Sequence, residues 1–274
     1  MTAVLRLQAP CAQEEWKMAN EARLSAGGKL KESLFNIDRD GRSMPVFCVG
    51  PDDARPYPGL IVVHEIFGLN EHIEDVSRRF AGQGLRVYAP DLFAESSGLP
   101  EDRNDLDAMR KVWSAIPDQQ LIDDLKSVLA LAQSSSDVRS DQIGAIGYCM
   151  GGAIAFMFAC HAPELAWVAD YYGRIYYADT TATKPKHPID YSDGLNCPVL
   201  GIFSGIDELI PIAHVEEFTK RLTAQGKGVE VKIYEDAPHA FFNDTRPKYH
   251  AAAARDAWAR TLDFIARITR TAVL

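Results

Sequence analysis

The sequence predicts an α/β protein whose doubly wound, mainly parallel sheet has helices on both faces. Short apolar runs, typical of buried parallel strands, alternate with segments whose apolar residues recur at helical spacing. The length of 274 residues suits one α/β domain, which we place at residues 31–274 behind an N-terminal helical arm at residues 1–30. A third observation is a strand, a sharp glycine turn and a helix within residues 143–159. Together these features favour one doubly wound domain.

The predicted strands are short apolar runs between turn signals. They fall at residues 34–37, 44–49, 60–63, 86–89, 143–146, 167–172, 198–203 and 229–234. The first two, joined across Asp40 and Gly41, are predicted to form an antiparallel hairpin at a sheet edge. The others alternate with helices, so their carboxyl ends should meet at one edge, where such sheets gather their functional groups.

The predicted helices are segments with apolar residues three or four positions apart. They fall at residues 13–25, 71–83, around 109–113, and at 119–132, 150–159, 213–224 and 249–268. Asn70 is expected to cap the second of these, with Val76 and Phe80 facing inward, and Gly84 is expected to end it. Residues 173–196 form a long polar segment, and residues 235–239 are expected to be a loop.

The composition argues against several kinds of partner and site. A formal net charge of −9 at pH 7 would repel nucleic acid and anionic membranes, and no apolar stretch approaches the length of a membrane span or a secretory signal. We therefore expect a cytoplasmic monomer or homodimer that acts on a small molecule. The cysteines are odd in number and widely spaced, which suits free thiols better than a disulfide framework or a zinc site. Accordingly, we expect neither a metal nor another cofactor. The five cysteines are Cys11, Cys48, Cys149, Cys160 and Cys197.

The turn at residues 147–152, with the sequence GYCMGG, matches a nucleophile elbow with cysteine in place of serine. Gly147 and Gly151 suit the close approach of strand and helix backbones, which leaves no room for Cβ atoms. Cys149 would then stand at a helix N-terminus, where the helix dipole and unpaired N–H groups favour a thiolate. The alternative is a buried structural cysteine between two packing glycines. The flanking strand and helix favour the elbow.

Two further candidates fall at strand ends later in the chain, Asp207 and His239. The order nucleophile, acid, histidine is that of the α/β-hydrolase triad. In such chemistry a thiolate attacks a carbonyl, an imidazole moves protons, and a carboxylate fixes the imidazole tautomer. Of the seven histidines, His239 alone falls between the last strand and the last helix. For the acid, Asp236 and Asp193 remain alternatives, and Asp207 could instead be a turn or capping residue.

Acyl transfer also needs backbone N–H groups that hold the oxyanion of the tetrahedral intermediate. The residue after the nucleophile, Met150, would supply one of them. Ile66, in the HEIFG segment after the first buried strand, is the best candidate for the other. The neighbouring Glu65 needs a partner, because a carboxylate at a buried strand end is costly unless it is paired. It either binds local backbone or takes part in the site, and we favour the site.

Six segments resemble the dienelactone hydrolase (carboxymethylenebutenolidase) family of α/β-hydrolases: VVHEIFGLN, APDLF, GYCMGGAIAF, YYG, FSGIDELIP and APHAFF. The similarity runs from about residue 34 to the C-terminus, which leaves the N-terminal arm outside it. It implies the α/β-hydrolase fold, a Cys149–His239–Asp207 triad and an oxyanion hole formed by Met150 and Ile66. In this family the glutamate that matches Glu65 contacts the resting thiol and helps control its ionisation.

Two departures from the family concern the substrate. Members that cleave dienelactone hold the substrate carboxylate with an arginine four residues after the catalytic histidine, and Asn243 occupies that position here. A second arginine of the family, in the helix before Trp113, has no clear counterpart in the segment NDLDAMRKVW. The segment after Tyr172 also looks longer than in the family. Possible substitutes for the missing cations are Arg103, Arg110, Arg174 and Arg246.

The sequence therefore predicts a cysteine-dependent hydrolase that cleaves small ester or lactone substrates through an acyl-cysteine. One alternative is a broad carboxylesterase or thioesterase without a preference for anionic substrates. A second is a catalytically idle domain that binds a ligand, and a third is a redox thiol, which lacks an obvious resolving cysteine. The side chains expected to contact the substrate are Trp113, Tyr172, Arg174 and Phe67.

Overall fold

A computed structural model describes residues 29–39 and 41–270 of the chain. Within them the strands are β1 (Leu30–Arg39), β2 (Arg42–Pro51), β3 (Tyr57–Val63), β4 (Arg86–Pro90), β5 (Val138–Tyr148), β6 (Trp167–Tyr171), β7 (Val199–Ile206) and β8 (Val229–Pro238). The α-helices are α1 (Glu71–Ala81), α2 (Leu106–Ala115), α3 (Asp118–Ser134), α4 (Met150–Ala159), α5 (Ile212–Ala224) and α6 (Ala251–Thr269). The helix predicted at residues 13–25 lies outside the described residues.

The strands form one sheet in the order β1-β2-β4-β3-β5-β6-β7-β8. Strands β3 to β8 pair in parallel, whereas β2 runs antiparallel to both β1 and β4. From β3 the chain first moves to β4 on one side and then returns to β5 on the other, so the switch point lies between β3 and β5. In sheets of this kind, ligands bind beyond the carboxyl ends of the strands at the switch point. The predicted mainly parallel sheet and its edge hairpin are confirmed.

Helices cover both faces of the sheet. Right-handed crossovers on the two sides of the switch point put α1 on the face opposite to α3, α4 and α5. Phe80 of α1 contacts Trp258 of α6, with ring centroids 4.4 Å apart, so these two helices share a face. On the other face, Phe156 of α4 meets Phe218 of α5 at 5.2 Å. No helix in the described part of the chain is long and apolar enough to cross a membrane.

Helix α4 is buried along its whole length, and this explains its composition. All ten of its residues, from Met150 to Ala159, are shielded from solvent. An apolar helix enclosed on every side needs no polar face, so it lacks the amphipathic pattern of the surface helices. Small residues at 151–153 and 155 let it lie close to the sheet. The start of α4, next to Cys149, is therefore held by packing in all directions.

Several predicted strands are longer in the structure, and the predicted ends of α1 and β8 are wrong. Helix α1 ends at Ala81 with Gly82 as its C-cap, and Gly84 belongs to the following turn, where its φ is +84°. A positive φ suits glycine both at the end of a helix and in a turn, so the sequence does not distinguish these two places. Strand β8 continues to Pro238, because an irregularity after Ser204 brings Ile206 opposite Pro238 and extends the pairing with β7. Most of the predicted loop at residues 235–239 is therefore strand, and His239 follows it directly.

The polar segment at residues 173–196 contains a 3₁₀ helix, Pro188–Gly194, and is anchored by a buried ion pair. The Lys184 Nζ atom lies 2.8 Å from Asp118 Oδ1 and donates a hydrogen bond to the Ile116 carbonyl at 2.7 Å. The Tyr177 hydroxyl lies 3.2 Å from the same Asp118 oxygen. Burial lowers the pKa of Lys184 and raises that of Asp118, while their pairing opposes both changes. The segment is thus fixed to the junction of α2 and α3.

Candidate active site

The turn between β5 and α4 holds Cys149 in an unusual backbone conformation. Its φ is +55° and its ψ is −120°, and its N–H donates to the Tyr171 carbonyl at 2.9 Å. A non-glycine residue at positive φ is strained, typically by about 1–3 kcal/mol, and persists where packing over-determines it. Here the packing comes from two glycines: a Cβ on Gly147 would collide with the Gly151 backbone, and one on Gly151 with the carbonyls of Val63 and His64. The predicted close approach of strand and helix therefore exists.

The structure brings Cys149, His239 and Asp207 together from the ends of three different strands. The Cys149 Sγ atom lies 3.0 Å from His239 Nε2, and His239 Nδ1 lies 2.7 Å from Asp207 Oδ2. The other carboxylate oxygen of Asp207 accepts backbone hydrogen bonds from Leu209 at 2.8 Å and Ile210 at 3.2 Å. With both oxygens engaged, Asp207 can hold the imidazole in one tautomer and one orientation.

The charges in this cluster favour an ion pair between sulfur and imidazole. Burial alone would lower the pKa of His239, because it disfavours the charged form. The negative charge of Cys149 and the hydrogen bonds to Asp207 and Cys149 outweigh burial and raise that pKa to about 10. A raised pKa favours the imidazolium form of His239, which could stabilise a thiolate at 3.0 Å.

The two alternative acids are engaged elsewhere. Asp236 is exposed and lies 3.5 Å from His250 Nε2, while His250 caps α6 with its side chain. Asp193 accepts a hydrogen bond from the Gln225 side chain at 2.7 Å. The structure therefore places Asp207, and neither Asp193 nor Asp236, within hydrogen-bonding distance of His239.

The backbone N–H groups of Ile66 and Met150, the two candidates for the oxyanion hole, are both available to an outside acceptor. No described residue accepts a hydrogen bond from either. The Glu65 carbonyl, which shares a peptide with the Ile66 N–H, accepts from the Gly68 N–H at 3.1 Å. Because N–H and C=O point in opposite directions across a trans peptide, the Ile66 N–H points away from this turn. The Cys149 carbonyl likewise accepts from Gly152, so the Met150 N–H points away from that contact.

His64 has a supporting position that the sequence analysis missed. Its Nδ1 lies 2.7 Å from the Glu65 carbonyl, and its Nε2 accepts the Leu92 N–H at 3.0 Å. Complete burial lowers the pKa of His64, so the neutral ring with a proton on Nδ1 fits both contacts. The ring therefore fixes the peptide that carries the Ile66 N–H. The only signal in the sequence was a histidine directly after the apolar run of β3.

Glu65 lies at the end of β3 with a neighbour that the sequence analysis did not pair with it. Its Oε2 accepts a hydrogen bond from Asn243 Nδ2 at 2.5 Å, and both side chains are buried. The Oδ1 atom of Asn243 in turn accepts from the backbone N–H and hydroxyl of Thr245. The residue at the family's arginine position thus contacts the glutamate of the candidate site.

The side chains expected to contact the substrate fall into two groups. Tyr172 is buried at a φ of +43°, with its ring 5.3 Å from that of His239, and Phe67 follows Ile66 directly. Trp113 packs against Tyr177 at the base of the segment 173–196, with ring centroids 5.8 Å apart. Arg174 leads into the same segment and forms no ion pair with a described residue. Tyr172 and Phe67 therefore lie beside the site, whereas Trp113 of α2 packs against this segment and Arg174 belongs to it.

The other arginines differ in how they are engaged. Arg103 pairs with Asp91 at 2.8 Å, and Arg110 pairs with Asp107 on the surface. Arg246 lies over the Phe67 ring, 4.1 Å from its centroid, and donates to the Asn104 side chain at 2.7 Å.

Comparisons with known proteins show which family the chain resembles. A model of the dienelactone hydrolase family matches residues 44–269. A Methylorubrum extorquens protein named "Putative carboxymethylenebutenolidase" is 36% identical over 247 residues, which cover 90% of this chain and 83% of that one. An Escherichia coli protein of the same name is 38% identical over 232 residues, 84% of each chain. Among solved structures, a Klebsiella pneumoniae "Putative Dienelactone Hydrolase" gives a TM-score of 0.82 at 34% identity, over 88% of this chain and the whole of that one.

Proposed function

Because the chain belongs to the dienelactone hydrolase family of α/β-hydrolases, we propose that it hydrolyses small esters or lactones with Cys149 as its nucleophile. The observation that carries this proposal is the distance of 3.0 Å between Cys149 Sγ and His239 Nε2, at an elbow whose helix N-terminus favours a thiolate. The reaction passes through an acyl-cysteine.

In the first half of the reaction the Cys149 thiolate attacks the carbonyl carbon of the substrate. The carbonyl oxygen becomes an oxyanion, which accepts hydrogen bonds from the N–H groups of Ile66 and Met150. As the intermediate collapses, the carbon–oxygen bond to the leaving group breaks, and His239 donates its Nε2 proton to that oxygen. The products are an acyl-cysteine and an alcohol, or, for a lactone, one molecule that carries both groups.

In the second half a water molecule replaces the leaving group. His239 Nε2, now neutral, takes one proton from the water as its oxygen attacks the acyl carbon. The carbon–sulfur bond then breaks, the carboxylic acid leaves, and the thiolate–imidazolium pair is restored. Asp207 keeps its hydrogen bond to Nδ1 throughout and stabilises the imidazolium each time it forms.

A second candidate function, a carboxylesterase without a preference for anionic substrates, is favoured by Asn243. This neutral amide stands where a carboxylate-binding arginine is expected, and it is already bonded to Glu65. An amide can supply hydrogen bonds but not the charge of a guanidinium. Neutral esters such as aryl acetates are therefore reasonable substrates alongside anionic lactones.

The nucleophile is tested by alkylation and substitution of Cys149. Iodoacetamide should label Cys149 and abolish ester hydrolysis in proportion, because burial raises the pKa of the other three described cysteines, Cys48, Cys160 and Cys197. Cys149→Ala should be inactive, and Cys149→Ser should keep weak activity at most, since an alkoxide is harder to form in a site suited to a thiolate.

Cys197→Ala, which changes a buried thiol outside the site, is the matched control and should keep both labelling and activity. The experiment is done in a Cys11→Ala background, so that every remaining cysteine lies within the described residues. Full hydrolysis by a folded Cys149→Ala protein would contradict the proposal.

A further inference from the structure

Glu65 is a buried carboxylate without a cationic partner. Glu65 and Asn243 are almost fully enclosed, with exposed fractions of 2% and 1% for the whole residues. Within the part of the chain that the structure describes, no lysine, arginine or histidine forms an ion pair with Glu65, and the Asn243 amide is its side-chain hydrogen-bond donor. A buried carboxylate held by one neutral donor keeps most of its electrostatic influence on its surroundings.

The Asn243 amide is oriented by its other contacts. Its Oδ1 accepts two hydrogen bonds from Thr245, one from the backbone at 3.0 Å and one from the hydroxyl at 2.7 Å. The amide nitrogen therefore faces Glu65, since the reversed amide would set oxygen against carboxylate and nitrogen against two donors. Asp244, the next residue, pairs with Arg79 of α1 at 2.7 Å and so anchors the turn. Asn243 is thus held in place before Glu65 contacts it.

Glu65 and Cys149 border the same buried region. A Cβ on Gly151, in the first turn of α4, would collide with the His64 carbonyl. The elbow therefore contacts the backbone one residue before Glu65. The Tyr172 hydroxyl is buried without a hydrogen-bond partner among the described residues. Burial raises the pKa of Tyr172, and its electrostatic interactions with Glu65 and Cys149 raise it further.

The sulfur itself is hydrogen-bonded to His239, at the start of the same loop after β8 that carries Asn243. The hydrogen-bond partner of Cys149 Sγ is His239, and among the described residues Glu65 makes no hydrogen bond to this sulfur. We propose that Asn243 is a positioning residue. From the loop after β8, its amide holds the Glu65 carboxylate, and this leaves the Cys149 sulfur to pair with His239 before any substrate arrives. This inference rests on the proposed function. If Asn243 plays this role, the thiolate–imidazolium pair forms without help from a negatively charged group on the substrate.

The physical reason lies in what a released Glu65 would do. A released Glu65 carboxylate near the sulfur would oppose the thiolate, because two negative charges repel each other. The reactive thiolate would then be scarcer at neutral pH. The other titratable groups around the sulfur are His239 at the end of β8, with Asp207 behind it, and Tyr172 after β6. Their contacts do not involve Asn243, so a change at Asn243 should reach the sulfur through Glu65.

A double-mutant cycle tests this coupling through the alkylation rate of Cys149 between pH 5 and pH 10. Asn243→Ala should move the midpoint of the rate profile upward by about one pH unit, which is about a tenfold slower reaction at pH values below both midpoints. In a Glu65→Gln background, the same substitution should leave the midpoint almost unchanged, because no carboxylate remains to be released. Thr245→Val, which keeps one of the two hydrogen bonds to Oδ1, should give a smaller shift than Asn243→Ala.

Should Asn243→Ala fail to fold, Asn243→Asp preserves the shape and the contact with Thr245 while it removes the amide donor. It should also shift the midpoint upward in the Glu65 protein, and by less in the Glu65→Gln protein. An equal shift in both backgrounds, or none in either, would mean that Asn243 merely supports its loop, and the inference would be overturned. Failure of the proposed function looks different, because alkylation of Cys149 would then leave hydrolysis intact.

Discussion

Asp207 follows strand β7 and Glu65 follows strand β3, and both carboxylates belong to the candidate site. One oxygen of Asp207 is held by the backbone N–H groups of Leu209 and Ile210, and the other faces His239. Glu65 depends on a single side-chain amide, that of Asn243. A group held by backbone keeps its place when neighbouring side chains change, whereas a group held by one side chain can be retuned by one substitution. We infer that backbone contacts fix the position of the Asp207 carboxylate, whereas the position of the Glu65 carboxylate depends on the side chain at residue 243.

Replacing each carboxylate with its amide should show the largest difference between the two residues. Asp207→Asn is expected to lower kcat by the order of 10²-fold or more, because the imidazole loses both its orienting acceptor and its counter-charge. His239→Ala should cost at least as much. Glu65→Gln should cost less than about tenfold, since it retains an acceptor for Asn243. Steady-state kinetics on one aryl ester give all three values.

Asp236→Asn is the control for these measurements, because Asp236 is exposed and pairs with His250. It should behave like the wild type. Near-normal turnover by a folded Asp207→Asn protein would move the role of the acid to Asp236 or Asp193.

Asp170 sharpens the comparison, because it is a buried carboxylate with a single backbone donor, the Gly173 N–H at 2.8 Å. Burial raises its pKa from 3.8 to about 7, although that hydrogen bond lowers it. Between these values the folded protein keeps a proton that the unfolded chain has lost, so stability falls as the pH rises from about 4 to 7. Asp170→Asn should remove this decline.

From pH 5 to pH 8 the free energy of unfolding of Asp170→Asn should therefore improve relative to the wild type by roughly 2–3 kcal/mol. Urea denaturation of both proteins at the two pH values measures this difference. Because the amide brings its own packing cost, the change with pH is the informative quantity. Parallel pH dependence in the two proteins would show that Asp170 is already ionised when the chain is folded.

The smallest expected effect concerns the substrate. A matched pair of esters that differ only in a carboxylate should show a ratio of kcat/KM below about tenfold, because Asn243 offers no charge and a lost guanidinium contact costs roughly 1.5–3 kcal/mol. A preference above about a hundredfold for the anionic ester that Arg174→Ala or Arg246→Ala abolishes would locate a rebuilt anion site. The same preference in both variants would contradict this interpretation of the pocket.

What the sequence could predict was mostly local. The elbow around Cys149 and the alternating strands and helices depend on residues within a few positions of each other, and both appear in the structure. The contact between Glu65 and Asn243 joins residues 178 positions apart, and no local pattern encodes it. The resemblance to a known family identified Asn243 as the residue at the arginine position, but it did not predict that Asn243 contacts Glu65. The 3₁₀ helix and the buried pair of Lys184 and Asp118 were missed because a polar segment carries no periodic signal.

The strand order has a consequence for how this protein acquires its activity. Cys149 and His239 lie 90 positions apart, and His239 follows β8, the last of the described strands and an outer strand of the sheet. Contacts between distant positions form slowly, because the intervening chain must first lose its freedom. A nascent chain that has folded only as far as β7 carries the thiol without its imidazole. Recovery of hydrolysis after dilution from denaturant would therefore report the docking of the final strand, a later event than the recovery of helical structure.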